Sequence, residues 1–326
     1  MDRQHGPVME NPDWVNSMAF SNKGELAYCG GSYLIVVKNT VCWEITFTLP
    51  HLPDINTFAC QFSHDFSRLI YGTTGEEHSI HVLKRRSSGM ILWEEEQTIN
   101  QVGNKAEEEQ STWEEERLPT LVFTKDYIVA QGSNSITVYD TLSFEEVHQL
   151  EFEEQKIDSI AVCSENWQPD SWAAGAIVPG AGLLAVGMER SVELWDITNG
   201  RLLQTIPADD LVGAICFTGF GKHIVFGGFD SALNFQSLFD DSGGCCGETK
   251  LVTRAGRSGG PYALSGCGCQ HPRWFALITE DFKSIDVFEK HSGRFVGSIP
   301  YDGTEVCDAG CTFSPDGTML GVCGEN

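Results

Sequence analysis

The segment SVELWDITNGRLLQTIP, residues 191–207, reads as strand, turn, strand. Two apolar, partly β-branched runs flank Asn199-Gly200, a pair with the chemistry of a tight turn. SIDVFEKHSGRFVGSIP, residues 284–300, repeats the design, and SITVYDTLSFEEVHQLEF, residues 135–152, repeats it more loosely. Outward from these copies, Ser32, Ser79, Ser135, Ser191, Ser231 and Ser284 each open a short apolar run. One supersecondary unit has therefore been copied along the chain.

A second register supports the first. An apolar residue followed by Ser or Thr recurs at Phe20-Ser21, Phe62-Ser63, Phe123-Thr124, Cys163-Ser164, Phe217-Thr218, Leu264-Ser265 and Phe313-Ser314. The spacing fits a four-stranded propeller blade of about 40–45 residues, with insertions in the longer copies. No stretch carries a sustained helical period. The expected fold is an all-β propeller of six complete blades and an incomplete seventh. Residues 1–12 form an N-terminal tail and 13–326 a single domain, with an acidic inter-blade insertion near 94–117 and an apolar loop insertion near 165–182. The last unit stops at residue 326, where earlier units pass from second strand to third. The tail is polar and carries Pro7 and Pro12, so it is a poor source of the missing pair. Two expectations follow: the sequence is a piece of a longer propeller, or another chain donates strands at the open blade.

Trp195-Asp196 and FSPDGTMLGVCG, residues 313–324, resemble the WD-repeat family. Tyr139-Asp140, Phe235-Gln236 and Phe288-Glu289 take the place of Trp195-Asp196 in other units. At this place the resemblance implies a ring packed between blades, giving Trp195, Asp196, Tyr139, Asp140 and Phe288 structural roles. The Gly-His pair that opens a typical unit is missing, so the hydrogen-bonded Asp-His-Ser/Thr-Trp network of the family is incomplete here. The endings Gly200 to Pro207 and Gly293 to Pro300 also resemble YVTN-type propeller repeats. The family implies a noncatalytic intracellular scaffold that presents loops to protein partners, and open propellers that resemble this one accept strands from partners.

Charge narrows the partners. With 21 Lys and Arg against 46 Asp and Glu, the net charge is −25. Long-range attraction to nucleic acid or to an anionic membrane is opposed, and a basic peptide is favoured. The amino terminus lacks the basic and apolar regions of a secretion signal, and no apolar run approaches a membrane span. Most of the twelve cysteines fall in expected strands, where a thiol packs as a small hydrophobe. Cytoplasm or nucleus is the expected location.

Two insertions are the candidate partner-binding features. Nine glutamates fall between residues 94 and 116. Of these Glu107, Glu108, Glu109, Glu114, Glu115 and Glu116 flank Trp113, an arrangement that reads either as a solvated loop or as a lure for a basic peptide. Trp167 and Trp172 sit in an apolar loop that either folds over its own blade or forms a hot-spot patch. Cys245, Cys246, Cys267, Cys269 and His271 group loosely but lack paired Cys-X-X-Cys spacing, so no metal is expected. His78 and His81 lie three apart on an expected strand and point to opposite faces. Motifs for hydrolysis, phosphate binding and dinucleotide binding are absent from the sequence, so no catalytic residue and no cofactor are expected. The alternatives are a propeller enzyme or small-ligand binder with a central-channel site, and a substrate receptor of a ubiquitin ligase.

Overall fold

A computed structural model describes residues 15–30, 33–50, 55–74, 78–87, 93–100, 120–132, 134–152, 155–163, 182–218, 223–227, 233–238, 249–252, 261–266, 274–279, 284–289, 292–300 and 311–322. Every regular element among them is a strand. The strands form six four-stranded antiparallel sheets and one two-stranded sheet, and sequence neighbours are sheet neighbours throughout. The first strand of each blade lies innermost. First strands of blades 1 and 2, 2 and 3, 4 and 5, 5 and 6, and 6 and 7 pack together, blades 3 and 4 share an apolar cluster, and the first strand of blade 7 returns to that of blade 1. This is a β-propeller of six complete blades and an incomplete seventh, closed at its inner circumference.

The inner strands are apolar on both faces because each blade is sandwiched between two others. The second strand of blade 1, Glu25–Gly30, is buried at all six positions. The fourth strands are the outer wall and alternate with solvent; Ile45–Pro50 is half exposed along its length. Between blades the faces interdigitate as apolar clusters. Ile80, Val82 and Ile99 of blade 2 meet Phe123, Ile128 and Tyr139 of blade 3. Val192, Leu194 and Ile206 of blade 4 meet Ile215, Phe217 and Phe226 of blade 5.

Side chains also stitch one inner strand to the next. Asn16 Nδ2 donates to Thr57 O at 2.6 Å, Phe123 N–H to Gln61 Oε1 at 2.6 Å, Gln131 Nε2 to Ile157 O at 3.0 Å, and Ser159 Oγ to Val212 O at 2.7 Å. These bonds satisfy polar groups that the inner wall would otherwise bury unpaired.

Blade 7 is a true repeat unit. In its first turn Asp316 accepts from Ser314 Oγ at 2.5 Å and from Thr318 N at 3.0 Å, while Met319 N donates to Ser314 Oγ at 2.9 Å. Blade 2 builds the same turn from Asp65, Ser63, Ser67 and Arg68, at 2.7, 3.0 and 2.9 Å. The strands of blade 7, Cys311–Phe313 and Leu320–Val322, join a cluster with Ala276 and Ile285 of blade 6, and Met319 packs on Phe20 and Leu26 of blade 1.

Five of the six described cysteines are buried thiols, as expected for residues of inner strands, and only Cys42 is exposed. Two placements differ from the sequence reading. Glu94–Glu96 belong not to an inter-blade loop but to the fourth strand of blade 2, Trp93–Asn100, whose outward face tolerates charge. Phe235 does not hold the Trp195 place in blade 5: Trp195 pairs with Leu184, and its counterpart opposite Ile224 is Gln236. Phe235 therefore points toward blade 6, with Phe275 and Phe288.

Candidate interaction surface

The hairpins joining third and fourth strands of blades 1, 3 and 4 lie at one rim of the ring, and in each an acidic or amide residue caps the turn. Asp196 accepts from Thr198 N at 3.0 Å and Asn199 Nδ2 at 2.7 Å. Asp140 accepts from Ser143 N at 2.8 Å and Leu142 N at 2.9 Å, and these backbone donors hold its carboxyl below the usual aspartate range. Asn39 caps Val41 and Cys42 in the same way, at 2.8 and 3.1 Å. The Asp of the Trp-Asp pair thus serves its own hairpin.

Four residues after each cap the chain turns left-handed. Gly200 and Gly293 take φ of 58° and 63°, but Trp43 and Phe144 occupy the same place at 60° and 59°. A bulky residue is strained there. The Phe144 ring lies 5.5 Å below the Arg68 guanidinium. Arg68 Nε pairs with Glu96 at 2.6 Å, and Arg68 Nη1 donates to Thr141 O at 3.3 Å, so one guanidinium ties blade 2 to the rim hairpin of blade 3. That hydrogen bond and charge hold the Glu96 carboxyl below its ordinary range.

Aromatic residues at the third-strand place face the preceding blade. Trp195 is partly buried, sits edge-on to Phe152 at 5.7 Å, and donates Nε1–H to Glu193 Oε2 at 3.0 Å. Tyr139 is buried against blade 2. Phe288 is buried against blade 5 and stacks on Phe275 at 5.0 Å. All three are inter-blade packing residues.

The outer wall of blades 1 to 3 carries exposed glutamates. Glu95 is exposed and accepts from Thr98 Oγ1 at 2.5 Å. Glu94 pairs with Arg86, and Glu96 also accepts from Lys84 at 3.3 Å. Glu44, Glu145, Glu146 and Glu151 stand exposed on fourth strands or the turns before them. His81 stacks on Tyr71 at 4.7 Å, and burial pushes its pKa down, while His78 is exposed. Glu107, Glu108, Glu109, Trp113, Glu114, Glu115, Glu116, Trp167 and Trp172 lie outside the described residues, as do Cys245, Cys246, Cys267, Cys269 and His271. Among the described residues no group of three or more His, Cys, Asp or Glu is placed to hold a metal ion, and no helix is long and apolar enough to cross a membrane.

Sequence reasoning missed one ionic clamp. Arg85 of blade 2 pairs with the buried Glu25 of blade 1, Ser21 Oγ donates to the same carboxylate at 3.2 Å, and the guanidinium lies 4.8 Å over the buried Trp93 ring. A buried charge is tolerated only with such a partner. The pair is sixty positions apart, so no local pattern announces it. The architecture thus rests on geometry and internal repetition: no protein-family model and no curated protein matches this chain.

Proposed function

We propose that this chain is a noncatalytic protein-interaction scaffold of WD-repeat type that acts in the cytoplasm or nucleus on basic protein partners. The observation that carries the reading is the outer wall. Exposed glutamates on the fourth strands of blades 2 and 3 and in the turn before that of blade 1, together with a net charge of −25, give that arc of the ring a negative field. Such a field raises the encounter rate of a basic partner and falls off within about 8 Å at physiological salt. The rim hairpins supply rigid, capped turns beside that wall, which suits recognition by surface rather than by pocket. Purification of the native chain with cross-linking and mass spectrometry tests the reading. The expected result is a set of basic proteins cross-linked to the outer wall and released as salt rises. Retention of no protein, or of partners indifferent to salt, overturns it.

A further inference from the structure

Two rim hairpins share a design that those of blades 4 and 6 lack. NTVCWE, residues 39–44 of blade 1, and DTLSFE, residues 140–145 of blade 3, match in residue class at six consecutive positions. Their backbones match as well. Trp43 N–H donates to Asn39 O at 2.8 Å and Phe144 N–H to Asp140 O at 2.9 Å, while Thr40 N–H and Thr141 N–H reach the first turn of their own blade, at Gly24 O and Asp126 O. In blades 4 and 6 the last two places read Gly200-Arg201 and Gly293-Arg294. Glycine takes the left-handed turn without strain, so the two aromatics need a reason to be there. Packing supplies it: Trp43 lies on the cluster of Phe20 and Leu26 that also receives Met319 of blade 7, and Phe144 lies on the seam of blades 2 and 3. Packing does not account for the tips. Val41 and Leu142, two places after each cap, are 85% and 80% exposed, the most exposed large apolar side chains among the described residues, where blade 4 carries Thr198. One exposed leucine is ordinary. The same exposure at one position of two matched hairpins is a pattern, set against a turn chemistry that favours polar residues.

Charge selects the occupant. Glu44, Glu145 and Glu146 follow the tips into the fourth strands, and Glu95 stands exposed on blade 2, the blade between them. Against them stand Lys23 and Lys125, exposed in the first turns of blades 1 and 3, whereas Lys84 and Arg86 of blade 2 are paired with Glu96 and Glu94. The arc is therefore negative, and it repels a second copy of this chain, whose net charge is also −25. Each hairpin is fixed by its cap and by the aromatic on the seam, so a partner pays little for ordering the tips. We propose that the rim of blades 1 to 3 docks a basic partner segment through two separate apolar contacts, one on Val41 and one on Leu142, with Lys or Arg beside each contact facing Glu44 and Glu145. The proposal rests on the scaffold reading and names its contact site.

The test titrates the full chain with a synthetic peptide of two Lys-Leu-Leu-Lys modules joined by a Gly-Ser linker, its length stepped until both modules reach the rim. The controls are a single module and a two-module peptide with serine in place of leucine. The expected result is that the two-module peptide binds at least about tenfold more tightly than the single module, and that Val41→Ser and Leu142→Ser each abolish this gain. Because both side chains are exposed, the variants keep their fold, which circular dichroism verifies. Equal binding of the two-module peptide by the wild type and either variant overturns the proposal. So does equal binding of the serine peptide, which leaves charge alone as the attraction, and so does a dimer lost in either variant, which assigns the tips to a second copy. Retention of the same native basic partners by the wild type and by the double variant removes this docking site but leaves the scaffold. Retention of none by the wild type removes the scaffold, while the peptide titration still decides whether the two tips act together.

Discussion

Ile206 and Ile299 hold one position in two copies of one hairpin, and solvent reaches 2% of the first and 45% of the second. Their strands have the same length class, the same bulge before the aromatic, and the same closing Ile-Pro. The difference lies in the neighbour: among the described residues blade 5 brings four strands to the seam, and blade 7 brings two. In a propeller the burial of a residue belongs to the pair of blades rather than to the blade that carries it, as expected for a repeat stabilised by nearest-neighbour interfaces.

Substitution at the two isoleucines gives the largest contrast. Ile206→Ala is expected to destabilise by about 2–5 kcal/mol through loss of buried methyl groups and the cavity left behind. Ile299→Ala should stay within about 0.5 kcal/mol. Urea unfolding of both variants measures the gap, and equal costs would mean that Ile299 is covered in solution.

The glycines of the two seams come next. A Cβ at Gly187 sits 2.8 Å from the backbone oxygen of Val212 and closer still to Ser159 Oγ, so Gly187→Ala must push blades 4 and 5 apart, at about 1–3 kcal/mol. At Gly321 the nearest atom is Met18 Sδ at 2.6 Å, the far end of a flexible side chain. Gly321→Ala is expected to cost less than Gly187→Ala in the same assay; the reverse order would show that the seam between blades 7 and 1 is the stiffer.

On the bare face of blade 6, Gly297→Ala has room for its methyl group and restricts the unfolded chain, for a gain of about 0.4–1 kcal/mol. A loss would place an unseen neighbour against that strand. The smallest effect separates the two matching turns. Hydrogen bonds, first from Ser314, depress the Asp316 pKa; at Asp65 partial burial opposes, and bonds from Ser63 and Ser67 outweigh it. A carboxyl with a lowered folded pKa adds stability above its unfolded pKa of about 3.9 and loses it as pH falls through the folded value. Asp316→Asn and Asp65→Asn should each flatten the decline in thermal midpoint below about pH 4. Flattening by Asp65→Asn alone would mean that the blade 7 turn is not formed in solution.

Much of this architecture is legible in the sequence because period-two apolar runs and turn residues act locally. The hairpin at 191–207 and the blade count follow from such signals, whereas the inter-blade role of Trp195, Tyr139 and Phe288 is what the resemblance of the Trp195-Asp196 pair implies. Register is harder to read. Phe235 and Gln236 are adjacent, a shift of one residue exchanges the two faces of a strand, and an aromatic is welcome on either face when both are covered. Glu94–Glu96 resemble a loop because charge dominates them, although an outer strand accepts charge on its exposed face. The clamp of Arg85, Glu25 and Trp93 and the bridge of Arg68 join different blades, and no local spacing encodes such contacts.

Closure at the inner circumference also has a consequence in time. Phe20 and Leu26 find Met319 only after residue 319 has been synthesised, so this seam joins strands far apart in the sequence. Such distant pairings make folding slow, because the entropy of drawing the ends together is lost before the contacts form. During synthesis the first blade waits with an apolar flank uncovered, the kind of surface that recruits chaperones or aggregates. Translation speed, and not equilibrium stability alone, is therefore a quantity to which the yield of this ring is sensitive.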